Sequence, residues 1–166
     1  EFRRVLFRSG DISNDFHGIS EPFFKQIELL TELSVTYNLG NHDMVGLSEE
    51  EISVSNFQVK TFASTAFVSF HGWYDYSFMT GKIDIKKIIA FKNSFYFDRK
   101  IHRQFDDTKI TNLELQKLEK LLTELSANPK IDRIIVSTHF VPHQQFIINT
   151  RYEKFEIGRA SCRERL

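Results

Sequence analysis

Cysteine is almost absent from this 166-residue chain: Cys162 is the only one, which excludes a disulfide framework and a zinc site built from cysteines alone. No apolar run approaches the roughly 20 residues that a transmembrane helix needs. The 22 basic and 22 acidic residues leave no net charge, which argues against a bulk electrostatic attraction to nucleic acid. What is present is a hydrophobic fraction of 41%, including 17 Phe, so we expect a folded domain with an aromatic-rich core rather than a disordered or low-complexity chain.

Both termini resemble translated adapter DNA from sequencing libraries. Leu6–Ser9 can be encoded by CTC TTC CGA TCT, and the reverse complement of that string can encode Glu156–Arg159 in another frame. We therefore predict that residues 1–9 and 157–166 are not native and that residues 10–156 are one partial domain of a longer protein. Without these tails, which contain six Arg and two Glu, 16 basic and 20 acidic residues remain, a net charge of −4. The alternative is a basic tail at each end, as in nucleic-acid binders.

Apolar residues at helical spacing predict three helices. The first begins after Ser20 as N-cap and presents Phe23, Ile27 and Leu30 on one face. The second covers 83–91. The third opens with a capping box of Thr111 and Glu114 and ends at Asn128-Pro129. Its apolar face comprises Leu118, Leu121, Leu122 and Leu125.

Strands are predicted at 35–39, 57–62, 66–70 and 131–136, the last of a buried type. Strands mixed with helices favour a layered α/β architecture. Polar residues follow two of these strands directly, at 40–43 and 137–143. In open α/β sheets ligands gather at the carboxyl ends of strands, so these residues are the first candidates for a functional site.

Three short segments carry the chemistry: Gly10–Asp15, Gly40–Asp43 and Ser137–His143. They offer carboxylates, carboxamides and imidazoles, which are oxygen and nitrogen donors suited to Mn, Fe or Zn, and they offer no sulfur. Ligands scattered over loops after strands fit a hydrolytic metal site better than a zinc finger, whose ligands come in close pairs.

With these motifs the chain resembles the calcineurin-like metallophosphoesterases. The family pattern G-D-x-x-[DN] matches Gly10–Asn14, the pattern G-N-H-[DE] matches Gly40–Asp43, and the lone His after a strand is best matched by His139. The resemblance covers residues 10–156. It implies an αββα sandwich of the metallophosphoesterase type, incomplete at both ends, and a metal-dependent hydrolysis of phosphate mono- or diesters.

The resemblance also implies two divalent metal ions, which could be Mn, Fe or Zn. Asp11 would bridge them, and Asn41 and His139 would bind the second ion. His143 is a competing candidate for a metal or substrate role.

The remaining roles implied by the family lie beside the metals. His42 would stabilise or protonate the leaving oxygen, Asp43 would orient His42, and Asn14 would support the loop or hydrogen-bond near the site.

The chain also departs from the family pattern. No D-x-H precedes Asp11 and no G-H-x-H follows His139, although those motifs supply about half of the ligands in the family. We therefore expect this chain to bind metal poorly and to have little or no phosphoesterase activity.

Other candidate residues have two readings each. Trp73 and Tyr74 could line a substrate cleft, or their rings could fill the core. The basic residues within 93–107 could attract a phosphate, although a solvated charged face is the simpler interpretation. His17, His71 and His102 are predicted to be surface or structural residues.

Three other functions compete with a general phosphoesterase. One is a nuclease or phosphodiesterase acting on nucleic acid, which the charge of −4 does not favour. Another is a catalytically inactive scaffold of the same family that binds a partner. The last is a non-metal α/β domain with chance motifs. We expect a cytoplasmic protein without a membrane-spanning segment.

Overall fold

The computed structural model describes residues 5–31, 33–79 and 84–142. His143 and the second predicted tail, 157–166, lie outside these residues. The elements in chain order are β1 (Val5–Ser9), α1 (Glu21–Thr31), β2 (Ser34–Asn38), α2 (Glu49–Ser55), β3 (Gln58–Phe62), β4 (Thr65–Phe70), α3 (Ile85–Phe95), α4 (Asp107–Ser126) and β5 (Arg133–Thr138). The chain is therefore mixed α/β, as the sequence predicts.

The described strands form two small sheets. β1 and β2 pair in parallel, with Val5 opposite Ser34 and Ser9 opposite Asn38. β3 and β4 form an antiparallel hairpin, and β5 adds to β4 in parallel. The sheets meet where Ser69 of β4 donates its hydroxyl to the carbonyl oxygen of Tyr37 in β2, at 2.6 Å.

Strand β1 lies in the stretch that the sequence analysis assigns to an adapter-like tail. Its five residues pair along the full length of β2. The assignment of residues 1–9 to a non-native tail concerns their origin, which a pairing pattern does not test, and it stays a prediction.

Two apolar clusters hold the elements together. The larger lies under the loops and contains Phe16, Leu39, Met44, Leu47, Ile52, Trp73, Tyr74, Tyr76, Ile88, Ile101, Ile110 and Phe140. The smaller joins α4 to the three-stranded sheet through Val68, Phe70 and Leu118, with Leu121, Leu122 and Leu125 packed against them. The predicted leucine face of α4 is thus its core-facing side.

The start of α4 was wrongly predicted. The helix begins at Asp107, and Asp106 caps it by accepting from the backbone N–H of Lys109 at 2.9 Å. Thr111 and Glu114 lie inside the helix, where Thr111 donates to the carbonyl of Asp107 and Glu114 pairs with Arg103. A backbone carbonyl of the same helix therefore takes the Thr111 side chain, and a residue outside the helix takes that of Glu114.

The buried faces of α1 and β5 also differ from expectation. Phe24 is the buried residue of α1 and stacks on Tyr37 with ring centroids 4.2 Å apart, whereas Phe23 is 48% and Leu30 75% exposed. Ser20 does not cap α1 but donates its hydroxyl to Asp43. In β5, Ile135 and Val136 are exposed, and within the described residues this strand pairs only with β4. Apolar periodicity alone could not tell which side of these elements is covered.

Helix α3 begins two residues later and ends four residues later than the predicted 83–91. Asp84 caps it by accepting from the N–H of Lys86. No helix in the described part of the chain is long and apolar enough to cross a lipid bilayer.

Candidate metal centre

Three strand ends bring the motif residues together. Because β1 and β2 are parallel, their carboxyl ends lie side by side, and Asp11 and Asn41 follow them closely. His139 directly follows β5 and lies at the same place, with its Nδ1 2.8 Å from the carbonyl oxygen of Ser9 at the end of β1. The structure thus collects Asp11, Asn41 and His139, which lie up to 128 positions apart in the sequence.

Two glycines make this approach possible. A Cβ on Gly10 would lie 2.4 Å from the backbone nitrogen of Gly40 and 2.8 Å from Nδ1 of His139. A Cβ on Gly40 would lie 2.2 Å from Oδ1 of Asp11. Real Cβ atoms do not come this close to backbone or polar atoms, so both positions require glycine for the loops to touch.

The hydrogen bond between His139 and Ser9 fixes which ring nitrogen of His139 carries a proton. Nδ1 lies 2.8 Å from the carbonyl oxygen of Ser9, which can only accept, so Nδ1 carries a proton. In the neutral ring, Nε2 then has a free lone pair. A histidine whose second nitrogen is held by a backbone carbonyl is the usual arrangement of a metal-binding histidine.

The amide of Asn41 is fixed in the same way. Its nitrogen donates to Oδ1 of Asp98 at 2.6 Å, which turns its oxygen toward Nε2 of His139 at 3.2 Å. Oδ2 of Asp11 lies 3.5 Å from the same Nε2. An amide oxygen and a carboxylate oxygen therefore both lie within 3.5 Å of Nε2 of His139.

These distances suit a shared cation. Two ligands bound at about 2.1 Å stand roughly 3.0 Å apart in octahedral and about 3.4 Å apart in tetrahedral geometry. The separations of 3.2 and 3.5 Å fall close to these values. The competing arrangement is a doubly protonated His139 that donates to Asn41 and faces the carboxylate of Asp11. It needs no metal.

Within the described ranges, no three side chains of the types His, Cys, Asp and Glu form a group that could hold a metal ion. The converging set has an amide in the third place. Carboxylate, amide and imidazole fit a divalent Mn, Fe or Zn ion, and the ion needs further ligands to complete its coordination.

Asp43 has a different task from the predicted one. Its buried carboxylate accepts from the backbone N–H groups of Asp11 (2.6 Å), Gly40 (3.0 Å), Ile12 and Ser13 (both 3.2 Å), and from the hydroxyl of Ser20 (3.0 Å). The carboxylate therefore holds the loop after β1 in place instead of orienting His42. The tight turn at Asp11, with a φ of 55°, is stabilised by this clamp.

His42 is oriented by Asn14 and Phe97. Nδ1 of His42 lies 2.6 Å from Oδ1 of Asn14 and donates to it, and the ring stacks on Phe97 at 3.9 Å between centroids. The backbone N–H of His42 donates to Oδ1 of Asp11 at 3.1 Å. Asn14 thus orients His42, a role that the sequence analysis assigns to Asp43.

Sequence reasoning missed Phe97 and Asp98. They lie in a short helical turn, Phe97–Lys100, within the stretch that was interpreted as a solvated charged face. Asp98 is instead 4% exposed, and Arg103 is buried in ion pairs with Glu49 and Glu114. Burial raises the pKa of Asp98, against the hydrogen bond from Asn41 and the charge of Lys92, which lower it. No local pattern marks one acidic residue of a charged stretch as buried.

Trp73 and Tyr74 do not line a cleft. They are 1% and 0% exposed, and the indole N–H of Trp73 donates to Asp107 at 2.7 Å. The alternative prediction, rings that fill the core, describes them correctly.

The other histidines are structural or lie on the surface. His71 is fully buried, with Nδ1 accepting from the N–H of Leu39 and Nε2 2.9 Å from the hydroxyl of Ser55. Burial lowers the pKa of His71 to about 3, so it stays neutral. His17 is exposed beside two glutamates, and His102 is exposed.

Comparisons of the chain with protein-family models, with curated proteins and with solved structures found no match.

Proposed function

We propose that the chain carries part of the active site of a metal-dependent phosphoesterase. One observation carries this proposal: Nε2 of His139 lies 3.2 Å from the amide oxygen of Asn41 and 3.5 Å from Oδ2 of Asp11, while hydrogen bonds on their far sides fix the side chains of Asn41 and His139. Polar groups that only stabilise a fold are paired donor to acceptor. With Nε2 unprotonated these three atoms are all acceptors, an arrangement that a cation stabilises.

The proposed centre follows the family that the motifs resemble. It would hold two divalent ions, Mn, Fe or Zn, within an αββα sandwich whose facing layers would be the two small sheets. Asp11, whose side chain is 39% exposed, would supply a carboxylate to these ions. Bound ions of this kind neutralise phosphoryl oxygens and lower the pKa of a bound water.

The residues of this chain have separate tasks in the proposed reaction. Asn41 and His139 would hold one ion, and Asp43 keeps the loop that bears Asp11 in place. His42 donates from Nδ1 to Asn14, so its Nε2 is the atom that would hold a proton for the departing oxygen. Stacking on Phe97 restricts the ring to one plane.

The proposal is tested by linkage between a metal and a phosphate analogue. Mn²⁺ is titrated into the chain and free Mn²⁺ is measured by electron paramagnetic resonance, with and without methylphosphonate. Weak binding of Mn²⁺ that methylphosphonate tightens is expected, since a ligand bound to the ion raises the ion's affinity. Methanesulfonate, which carries less charge, is the control. No binding of Mn²⁺, or binding that the phosphonate leaves unchanged, would contradict the proposal.

Turnover measures how complete the site is. With Mn²⁺ added, we expect little or no hydrolysis of p-nitrophenyl phosphate or bis(p-nitrophenyl) phosphate, because D-x-H and G-H-x-H are missing from the sequence. Fast hydrolysis would show that these motifs are dispensable here.

A further inference from the structure

We propose that Asp98 is a positioning residue of the metal centre, because it fixes which atom of the Asn41 amide faces the ion. This inference rests on the proposed function, in which Asn41 is a ligand. Asp98 belongs to none of the three motifs and lies 57 positions after Asn41.

The need for such a residue follows from the chemistry of a carboxamide. Oxygen and nitrogen of the amide have nearly the same shape, but only the oxygen can bind a cation. A free asparagine at this site could turn its NH₂ group toward the ion and lose the ligand. A partner that can only accept removes this choice, because it bonds to the NH₂ group alone.

Asp98 fits this requirement in its contacts and its placement. Its Oδ1 accepts from the Asn41 nitrogen at 2.6 Å, and the residue is 4% exposed, so water does not compete for the bond. The turn Phe97–Lys100 is held in place, since Ile101 packs in the larger core cluster and Phe97 stacks on His42. One turn therefore sets the orientation of two neighbouring site residues, Asn41 and His42.

Exchanging the two side chains tests the inference. In Asp98→Asn the partner can either donate or accept, so the orientation of Asn41 is no longer fixed, and we expect Mn²⁺ affinity to fall by about tenfold or more. In the double variant Asn41→Asp with Asp98→Asn, the new amide donates to the new carboxylate, whose other oxygen faces the ion. This exchange should restore the affinity to the wild-type value or above it.

Asp107→Asn is the matched control. Asp107 is another poorly exposed carboxylate, but its partners are Lys92, Trp73 and Tyr76, so its loss should lower stability and leave Mn²⁺ affinity within twofold. The inference is overturned if Asp98→Asn binds Mn²⁺ as wild type does, or if the double variant is as weak as Asp98→Asn. Failure of the wild-type chain to bind Mn²⁺ would instead overturn the proposed function.

Discussion

Two loops of this molecule follow strands and have similar compositions, yet they use their side chains in opposite ways. The site loop, Gly40–Asp43, follows β2, and the aromatic loop, His71–Tyr76, follows β4. Each contains a histidine and an aspartate. In the aromatic loop the His71 ring and the Trp73 indole point inward to partners that match them donor to acceptor. In the site loop Asn41 and His42 are half-buried, and their side chains contact Asp98 and Asn14 of other loops.

The difference teaches that residue type does not identify a functional group; its partners do. His71 has both nitrogens occupied by Leu39 and Ser55 and stays neutral. His139 has one nitrogen occupied by Ser9, while the other lies near oxygen atoms of Asn41 and Asp11. The aromatic loop is accordingly expected to control stability, and the site loop to control ion binding. The following experiments separate the two.

The largest effect on stability is expected from Trp73→Ala. Removing a fully buried indole leaves a cavity and takes one hydrogen bond from Asp107, so the free energy of unfolding should fall by about 3–5 kcal/mol. Urea denaturation followed by circular dichroism measures it. Phe95→Ala is the control, since Phe95 is 72% exposed and its removal should cost little. A loss below 1 kcal/mol for Trp73→Ala would contradict the core position of Trp73 and favour the alternative, a residue that lines a cleft.

Asp43→Asn should lower stability as strongly as a core change, although Asp43 belongs to the site loop. Its carboxylate accepts hydrogen bonds from four backbone N–H groups and one hydroxyl, and an amide nitrogen turned toward N–H groups would repel them. We expect the free energy of unfolding to fall by about 3 kcal/mol, because hydrogen bonds to a buried charge are lost. Thermal unfolding at neutral pH measures the change. If stability is unchanged, Asp43 is not the clamp of the loop after β1.

Gly40→Ala should affect both stability and ion binding. The added Cβ would meet Oδ1 of Asp11 at 2.2 Å and push the carboxylate away, so Mn²⁺ affinity should drop and unfolding should become easier by about 2 kcal/mol. Gly46→Ala is the matched control: its Cβ meets nothing within 4 Å, and its φ of 81° costs only about 1 kcal/mol of backbone strain. Equal effects of the two variants on Mn²⁺ affinity would contradict the close packing of the loops.

A pH dependence should come from the aromatic loop. The pKa of His71 is about 3 in the folded chain against 6.5 for an exposed histidine, so its contribution to stability is complete above pH 6.5 and is lost as the pH falls toward 3. Between pH 6.5 and 5 this loss amounts to about 2 kcal/mol. Denaturant unfolding at both pH values, compared with His71→Asn, isolates it. In the variant, the free energy of unfolding should lose the part of its pH dependence that comes from His71. An identical pH dependence in both proteins would show that His71 is accessible to protons.

The sequence predicts four of the described strands better than the packing of the helices. Asn41 and His139 are candidates because polar residues follow predicted strands there, whereas Asp11 is identified through the motif resemblance alone and follows β1, a strand that the sequence analysis does not predict. Apolar periodicity does not show which neighbouring element covers each side of a helix. It therefore could not predict that Phe23 and Leu30 are exposed or that α4 is capped at Asp106. Asp98 could not be predicted, since its role exists only through a contact across 57 positions.

The proposed metal centre requires that Asp11, Asn41 and His139 together bind an ion. The most direct test is the dissociation constant of Mn²⁺ for the wild-type chain and for His139→Gln, with His17→Gln as a surface control. We predict weak binding of one ion by the wild-type chain, an affinity at least about tenfold lower for His139→Gln, and no change for His17→Gln. Equal affinities of wild type and His139→Gln, or no binding to either, would contradict the account and favour the doubly protonated His139.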